Sequence, residues 1–325
     1  MKAAVHTRYG PPEVVRIEDV ETPTPGDRDV LVRVHATTVN RTDWGFRAGK
    51  PWLVRLVGGL TKPKVTVLGM EFSGVVEAVG RRVRSFGVGE RVFGFSEDRW
   101  GAHAEYRTIP EDRAIATMPA GSTFEEIAPA TEGSHYSLSG IRGAGITAEQ
   151  DVMLNGSTGA IGSAALQLLK QMGANVTAVC PGQHVDQVRS LGADRIIDYT
   201  KEDFTQDGQV YDTVFDAVGK SSYGRCKRLL KPRGTYISTD LGPGAMNPVL
   251  ALVTTVFGGK KVRFPIPRKQ TQVEVRQIKA MIESGAFKPL VDRVYPLDEI
   301  VEAYRYVETE QKVGGVVIDV ASSGS

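Results

Sequence analysis

The first third of the chain alternates short apolar and β-branched runs with Gly and Pro, without a helical period. Strands at this spacing, with no helices between them, are typical of an antiparallel, barrel-like unit. The runs that we predict as strands are residues 2–6, 14–20, 30–39, 74–79, 91–95 and 104–109.

From about residue 122 the pattern changes. Ser122 and Glu125 have the spacing of a capping box, which predicts a helix that runs to about Ser139 with an interruption near Gly133. Apolar runs then alternate with helical stretches, a pattern that predicts a parallel sheet covered on both faces, in a doubly wound fold. The predicted strands are 151–155, 175–180, 195–198, 213–216, 234–238 and 261–265, and the predicted helices are 160–172, 185–191 and 222–230.

The last residues return to shorter elements after a helix predicted over 271–284. A strand over 290–295, a helix over 298–307 and a strand over 315–320 are too few for a third core, so we expect them to complete the first unit. The sequence therefore predicts one domain from residues 1–122 and 290–325 and a second domain from residues 123–289.

Composition narrows the partners of these two domains. The 325 residues include 40 Lys and Arg against 38 Asp and Glu, so we expect neither nucleic acid as the main ligand nor a membrane, but a small molecule. No apolar segment resembles a signal peptide or a membrane span. Two cysteines, Cys180 and Cys226, fit a reducing compartment, and we predict a cytoplasmic protein.

A glycine-rich loop carries the most chemical information. The strand predicted over 151–155 runs into a loop that opens a long amphipathic helix. Glycines at such a turn allow a pyrophosphate to approach the free N–H groups of the helix N-terminus, so the loop predicts dinucleotide binding. An ordinary strand-to-helix turn is the alternative. The residues of this loop are Gly156, Ser157, Thr158, Gly159, Ala160, Ile161 and Gly162.

The end of the second strand bears on the choice of cofactor. An Asp or Glu at this position would hold the ribose 2′-hydroxyl of NAD, but here Cys180 is followed by Pro181, Gly182, Gln183 and His184. The missing negative charge favours NADPH over NADH. Gln183 or His184 would donate to the 2′-phosphate, or would be plain loop residues.

Several motifs beyond this loop resemble the medium-chain dehydrogenase/reductase family, in its zinc-independent, zeta-crystallin-like quinone oxidoreductase group. They lie at residues 1–4, 40–44, 69–74, 88–92, 101–106, 191–194, 215–219 and 314–320, so that the resemblance covers essentially the whole chain. The family implies an α/β fold, with a GroES-like β-barrel catalytic domain and a Rossmann domain with a doubly wound parallel sheet.

The resemblance also implies that no catalytic zinc is bound. Zinc-bearing relatives have Cys where this chain has Asn40 and His where it has Met70, and two cysteines cannot form their four-cysteine lobe. Asp43 and Glu71 match positions near that metal, and we interpret them as structural acids. The implied reaction is hydride transfer from NADPH to a quinone or an α,β-unsaturated carbonyl, which needs less electrostatic help than a simple ketone.

The family pattern assigns further site residues by position. Asn40 corresponds to an asparagine at the nicotinamide end, where its amide would donate to a substrate oxygen; the alternative is a capping residue. Tyr199 corresponds to a contact of the adenosine phosphate, and Ser134 to a small hydroxyl residue near the pyrophosphate, in a segment that departs from the usual Gly-Leu-Thr. The remaining implied cofactor contacts are Cys180, Gln183, Ala217, Val218, Ser238, Thr239, Leu241 and Lys312.

Two other functions remain open at this point. One is an enoyl reductase or alcohol dehydrogenase of a single pathway, although the tyrosine that acyl-thioester reductases use is absent from residues 44–53. The other is a protein that binds NADPH with little turnover. Relatives commonly dimerise through an edge strand of the Rossmann sheet, and we expect a homodimer through residues 261–265.

Overall fold

The computed structural model describes residues 1–257, 259–265 and 268–324, and the chain forms two compact units. Unit 1 comprises Met1–Glu132 and Lys269–Ser325, and unit 2 comprises Gly133–Arg268. Unit 1 therefore ends later and resumes earlier than the predicted domain limits at residues 122 and 290. Both limits move because of local packing. The helix that follows residue 122 packs on strands of unit 1, and the helix that follows residue 271 packs against the strand Ile115–Thr117 of the same unit.

The elements follow in chain order. The strands are β1 Lys2–Val5, β2 Arg16–Asp19, β3 Asp29–Val39, β4 Glu71–Val79, β5 Arg91–Phe95, β6 Tyr106–Pro110, β7 Ile115–Thr117, β8 Asp151–Asn155, β9 Asn175–Cys180, β10 Arg195–Asp198, β11 Tyr211–Asp216, β12 Leu230–Ser238, β13 Lys261–Arg263, β14 Val291–Pro296 and β15 Gly315–Asp319. The helices are α1 Arg41–Ala48, α2 Val54–Gly58, α3 Phe124–Ile127, α4 Glu132–Ala144, α5 Ala160–Gln171, α6 Val185–Ser190, α7 Tyr223–Cys226, α8 Met246–Phe257, α9 Gln272–Glu283 and α10 Ile300–Glu308.

Unit 1 is built on a sheet in the order β14-β15-β3-β4-β5-β7, with β6 also paired to β3. The pairs are antiparallel except for the parallel pair β14–β15. Val30, Val32 and Val34 alternate along β3 toward a core that also contains Phe72. The C-terminal strand β15 pairs with β3, so the end of the chain completes this unit.

Unit 2 contains a parallel sheet in the order β10-β9-β8-β11-β12-β13. Counted along the chain, this order is 3-2-1-4-5-6, in which the crevice at the carboxyl ends of the strands binds dinucleotides. The central strand β8 pairs with a strand on each side, and its apolar residues Val152, Met153 and Leu154 are buried. The predicted α/β fold class, with a barrel-like unit and a doubly wound unit, is confirmed.

Some predicted elements were wrong at their ends. Thr123, rather than Ser122, caps α3, since its hydroxyl accepts from the N–H of Glu126 at 3.2 Å. The predicted interruption lies at Pro129, in a 3₁₀ turn, rather than near Gly133, and α4 continues beyond Ser139 to Ala144. The strand predicted over 14–20 is shortened to β2 by a 3₁₀ turn, and the helix predicted over 222–230 ends after one α-helical turn.

None of the helices in the described residues combines the length and the apolar character that a membrane crossing requires. The apolar stretch 248–257, left without an element by the sequence pattern, forms most of α8.

Candidate functional site

The glycine-rich loop of unit 2 connects β8 to α5. Gly156 and Ser157 donate their N–H groups to the carbonyl of Val179 on β9, at 3.1 and 3.2 Å, which fixes the loop to the neighbouring strand. Gly159 is the N-cap of α5 and brings no capping side chain. The first N–H groups of α5 have no acceptor within the helix, so this end offers donors to an anion.

Two glycines of this loop are required sterically. A Cβ on Gly162 would lie 2.0 Å from the carbonyl oxygen of Gly156, and a Cβ on Gly156 would lie 2.3 Å from Val218 Cγ1. Gly156 also has a φ of +83°, which disfavours any other residue. By contrast, a Cβ on Gly159 would meet its nearest atom only at 3.8 Å, so the open side of the loop is at Gly159.

Helix α4 supports the same loop from within unit 2. A Cβ on Gly133 would lie 2.4 Å from the carbonyl oxygen of Ala160, and the Ser137 hydroxyl lies 2.7 Å from the carbonyl oxygen of Ile161. Ser134, a predicted cofactor contact, is completely buried in this helix. The loop is therefore held by packing on two sides, which favours a preformed anion site.

The carboxyl ends of β9 and β10 bring together the residues predicted at the adenosine end. Tyr199 donates its N–H to the carbonyl of Cys180 at 3.2 Å, and its ring is half exposed. Gln183 is exposed, with Nε2 3.1 Å from His184 Nε2. The Cys180 thiol is buried, and burial raises its pKa to about 11.

Asp198 adds a carboxylate that the sequence analysis did not consider at this position. A Cβ on Gly182 would lie only 2.3 Å from Asp198 Oδ2, and that oxygen is buried without a hydrogen-bond partner. Asp198 Oδ1 accepts from the N–H and the hydroxyl of Thr200, and Lys201 forms an ion pair with the carboxylate at 3.4 Å. Oδ2 is thus covered by the protein, and Oδ1 is engaged by Thr200.

The loops after β11 and β12 are organised by one buried acid. Asp216 accepts from the main-chain N–H groups of Val218 and Gly219, and from the Asn155 amide at 3.0 Å. Its own carbonyl accepts from the N–H of Thr239 at 3.2 Å. The predicted contacts that these two loops place at the carboxyl ends of the strands are Ala217, Val218, Ser238, Thr239 and Leu241.

Unit 1 contains a second polar site, around Asn40. Asn40 follows β3 and is the N-cap of α1, and it is only 3% exposed. Its amide nitrogen lies 3.0 Å from Glu71 Oε2, 2.8 Å from Glu132 Oε2 and 3.0 Å from Thr38 Oγ1. Two amide hydrogens therefore face three acceptors of the protein, and a hydrogen bond from Asn40 to a substrate would compete with them.

Three buried carboxyl groups, those of Asp43, Glu71 and Glu132, belong to this site, which we call the carboxyl cluster. Burial raises the pKa of Asp43 to about 7 and also raises the pKa of Glu71. Burial, together with the charges of Glu71 and Asp43, raises the pKa of Glu132 well above its ordinary value. Lys312 Nζ reaches the cluster through Asn40 Oδ1, at 3.3 Å.

The structure therefore groups the predicted residues in two places. Those of unit 2 lie at the carboxyl ends of neighbouring strands, whereas Asn40 and Lys312 lie together in unit 1. Sequence reasoning missed the partnership of Glu132 with Asn40, since the two residues are 92 positions apart. The one available signal was the acid beside Gly133, where the family pattern has a different sequence.

The positions of Asn40 and Met70 offer no thiolate or imidazole group. An amide whose nitrogen donates to two glutamates is not a ligand of the thiolate or imidazole type, and Met70, buried at the other position, offers a thioether. In the part of the chain that the structure describes, no group of three or more His, Cys, Asp or Glu side chains is arranged to hold a metal ion.

Comparison with known proteins supports both units. A family model described as alcohol dehydrogenase GroES-like domain matches residues 26–120, and one described as zinc-binding dehydrogenase matches residues 191–318. The chain is 30% identical over 318 residues to a trans-enoyl reductase of Aspergillus terreus, covering 91% of this chain and 87% of that protein.

Two further proteins show the same similarity over nearly the whole chain. A chloroplastic NADPH-dependent alkenal/one oxidoreductase of Arabidopsis thaliana is 28% identical, with 98% of this chain and 79% of that protein covered. The solved structure of the quinone oxidoreductase from Coxiella burnetii superposes with a TM-score of 0.87 at 25% identity, covering 98% of this chain and 99% of that one.

Proposed function

Because the chain belongs to the medium-chain dehydrogenase/reductase family, among its quinone oxidoreductases and enone reductases, we propose that it is an NADPH-dependent reductase of quinones or α,β-unsaturated carbonyls that works without zinc. The observation that carries this proposal is the amide of Asn40, held between Glu71 and Glu132 at the position where zinc-bearing relatives have a cysteine.

The glycine-rich loop fits a dinucleotide. Gly162 and Gly156 leave no room for side chains, Gly159 leaves the end of α5 open, and α4 holds the loop in place. The N–H groups at the start of α5 would bind the pyrophosphate, and the loops after β11 and β12 would line the ribose and the nicotinamide. When bound, NADPH supplies the hydride of the reaction.

The ends of β9 and β10 support NADPH rather than NADH. A ribose 2′-hydroxyl needs an accessible carboxylate, but Asp198 Oδ2 is buried beneath Gly182 and Oδ1 is engaged by Thr200. Gln183, His184 and Lys201 lie at this end and would donate to a 2′-phosphate, and Tyr199 would cover the adenosine. The alkenal/one oxidoreductase relative is named as NADPH-dependent.

The chemistry of the carboxyl cluster supports conjugated substrates. A zinc ion would stabilise an alkoxide by several kcal/mol, a contribution that carboxyl groups around Asn40 do not replace. Quinones and enones spread the incoming charge over a conjugated system and depend less on a Lewis acid. The chain's own task is then to bind, to orient and to provide a proton.

The direct experiment mixes the purified protein with NADPH and a panel of quinones, alkenals and simple ketones, and follows the nicotinamide absorbance. We expect oxidation of NADPH with conjugated acceptors, no rate with simple ketones, and unchanged rates after treatment with a chelator. Metal analysis of the same preparation should give substoichiometric zinc. Absence of turnover with every conjugated carbonyl would refute the proposal.

A thioester substrate is the second candidate, because the trans-enoyl reductase of Aspergillus terreus is 30% identical to this chain. An enoyl thioester should then be reduced with a much higher kcat/KM than any free quinone or enone. Tight binding of NADPH without oxidation by either class would instead favour a cofactor-binding protein of low turnover.

We also propose that the active form is a cytoplasmic homodimer. Strand β13 lies at one edge of the six-stranded sheet, and α8 beside it exposes Val249, Leu252 and Val256. Exposed apolar side chains on a helix beside the edge strand favour association between copies. Sedimentation should give twice the 35.2 kDa chain mass, and a concentration-independent monomer would contradict the dimer.

A further inference from the structure

The carboxyl cluster of unit 1 carries an imbalance of charge. Asp43 and Glu71 are each 1% exposed and Glu132 is 5% exposed, and the cation that reaches them is Lys312. Three ionised carboxylates against one ammonium would leave uncompensated charge in a buried site, which is costly. The cluster therefore retains at least one proton at neutral pH, in agreement with the raised pKa values of its three acids.

Hydrogen-bond donors disfavour this proton on Asp43 and Glu71 relative to Glu132. Glu71 Oε1 accepts from the N–H groups of Thr131 and Glu132, at 2.8 and 2.6 Å, and lies 3.0 Å from the Thr131 hydroxyl. Glu71 Oε2 accepts from Asn40 Nδ2 and lies 2.8 Å from the Thr38 hydroxyl. Asp43 accepts from the N–H of Asn40 at 2.8 Å and from that of Gly69 at 3.1 Å. An N–H group cannot accept a hydrogen bond, so a carboxyl proton on these oxygens would face donors.

Glu132 differs from the other two acids at one oxygen. Oε2 accepts from Asn40 Nδ2 at 2.8 Å, but Oε1 faces Thr42 Oγ1 at 2.7 Å. A hydroxyl group accepts as readily as it donates, so a proton on Oε1 has an acceptor there. Of the six carboxyl oxygens, Glu132 Oε1 is the one whose recorded partner is a hydroxyl group alone, since each oxygen of Glu71 that faces a threonine hydroxyl also accepts from an N–H group. Thr42 is half-buried, whereas the three acids of the cluster are almost completely buried.

We propose that Glu132, acting through the hydroxyl group of Thr42, is the proton source for the reduction. This inference rests on the proposed function. As the β-carbon of an enone receives hydride from the reduced cofactor, the electrons of the C=C bond move toward the carbonyl oxygen. That oxygen takes the proton of Thr42 Oγ1, and Thr42 Oγ1 takes the proton of Glu132 Oε1.

One proton from solvent then restores the protonated form of Glu132. The enol product tautomerises to the ketone, and the Glu132 carboxylate regains its proton from solvent through Thr42. In sum, one enone, one NADPH and one proton give one saturated ketone and one NADP⁺. Glu71 from β4 and Asp43 from α1 keep Glu132 protonated before the reaction, and Lys312, ahead of β15, stabilises the carboxylate that forms.

The first test needs no cofactor. Glu132→Gln preserves the shape of the side chain, with an oxygen for Asn40 and an N–H for Thr42. At pH 8, above the pKa of about 7 of Asp43, the infrared spectrum of the ligand-free wild type should contain the C=O band of a buried protonated carboxyl group, and this variant should lose it. Glu111→Gln is the matched control, because Glu111 is a buried glutamate of the same unit whose pKa is lowered by hydrogen bonds from Arg84 and Ser85. It should leave the band unchanged.

The second test follows turnover with an enone that the wild type reduces. Glu132→Gln should bind NADPH with unchanged Kd but lower kcat by about 10²-fold, the usual contribution of a positioned acid. The loss of rate of the wild type at alkaline pH should be absent from its profile. Thr42→Val should lower kcat in the same way while keeping the infrared band. If Glu132→Gln does not fold, Thr42→Val decides the question.

These outcomes separate the two proposals. A protonated-carboxyl band that survives in Glu132→Gln, or a kcat and pH profile equal to those of the wild type in either variant, would overturn the role of Glu132. A wild type that reduces no conjugated carbonyl would instead refute the proposed function, and the infrared comparison on the ligand-free protein would still locate the proton.

Discussion

A single methyl group at Gly159 tests the assignment of the cofactor loop. Gly159 has an extended backbone, with φ −68° and ψ 169°, that alanine adopts without strain. The added Cβ would find its nearest neighbour at 3.8 Å, an ordinary contact. Gly159→Ala should therefore fold normally and lose less than about 1 kcal/mol, the order of the difference between Gly and Ala at an N-cap.

Cofactor binding should respond quite differently. The methyl group would stand on the open side of the loop, where the pyrophosphate approaches the N–H groups of α5. Displacing one charge-assisted hydrogen bond costs roughly 1.5–3 kcal/mol, which weakens Kd about 10- to 150-fold. Isothermal titration with NADPH measures this change, and thermal unfolding measures the stability of the same samples.

Two companion variants complete the comparison. Gly162→Ala would force a Cβ to 2.0 Å from the Gly156 carbonyl, so it should lose both binding and roughly 1–3 kcal/mol of stability. Gly208→Ala, in the loop that precedes β11, has no atom within 4 Å of its Cβ and should change neither. Wild-type affinity for NADPH in Gly159→Ala would refute the placement of the cofactor on this loop.

Three further predictions concern charge. The pKa of Asp43 is about 7 in the folded chain against 3.8 ordinarily, so the stability that the protonated Asp43 contributes is fully present below about pH 4 and is lost as the pH rises through 7. In urea titrations, the free energy of unfolding of the wild type minus that of Asp43→Asn should fall by up to roughly 4 kcal/mol over this range. A constant difference would contradict the prediction. Asn40→Asp removes the N–H donor to Glu71 and Glu132 and should lower the free energy of unfolding by about 3–5 kcal/mol at neutral pH, with partial recovery in acid. The same titrations measure this loss, and equal losses at neutral and acid pH would argue against a charge effect. Gln183→Glu should weaken the binding of NADPH about fivefold and leave that of NADH unchanged, since a like charge some 4 Å from the 2′-phosphate costs about 1 kcal/mol in water. A fluorescence titration that finds equal effects on the two dissociation constants would exclude a 2′-phosphate near this residue.

The parts of the molecule that sequence predicted well are those in which the signal is local. The glycine-rich loop follows its strand directly, and the alternation of strands and helices in unit 2 requires only neighbouring residues. The capping box was misplaced by one position because Ser122 and Thr123 both precede a glutamate at the right spacing, and only packing selects Thr123.

Long-range contacts could not be predicted in this way. The approach of Asn40 to Lys312 joins residues 272 positions apart, and it depends on the pairing of β15 with β3. Asp198 ends one strand and Gly182 follows another, so their contact arises from parallel register and leaves no mark in the spacing of residues. Glu132 could be identified from the sequence as a departure from the family pattern. Its hydrogen-bond partners, Asn40 and Thr42, could not be predicted in this way.

The carboxyl cluster around Asn40 differs from a zinc site in the charge that it presents to a substrate. A zinc site stabilises developing negative charge on the substrate directly, and it functions with little help from protons. A site that gathers three carboxyl groups around an amide has the opposite electrostatic character, since it disfavours an unprotonated oxyanion nearby. Such a site assists a reduction only if a proton reaches the substrate oxygen as the charge develops. A reduction at this site therefore requires a proton source, and the contact of Glu132 with the Thr42 hydroxyl is the one that we propose.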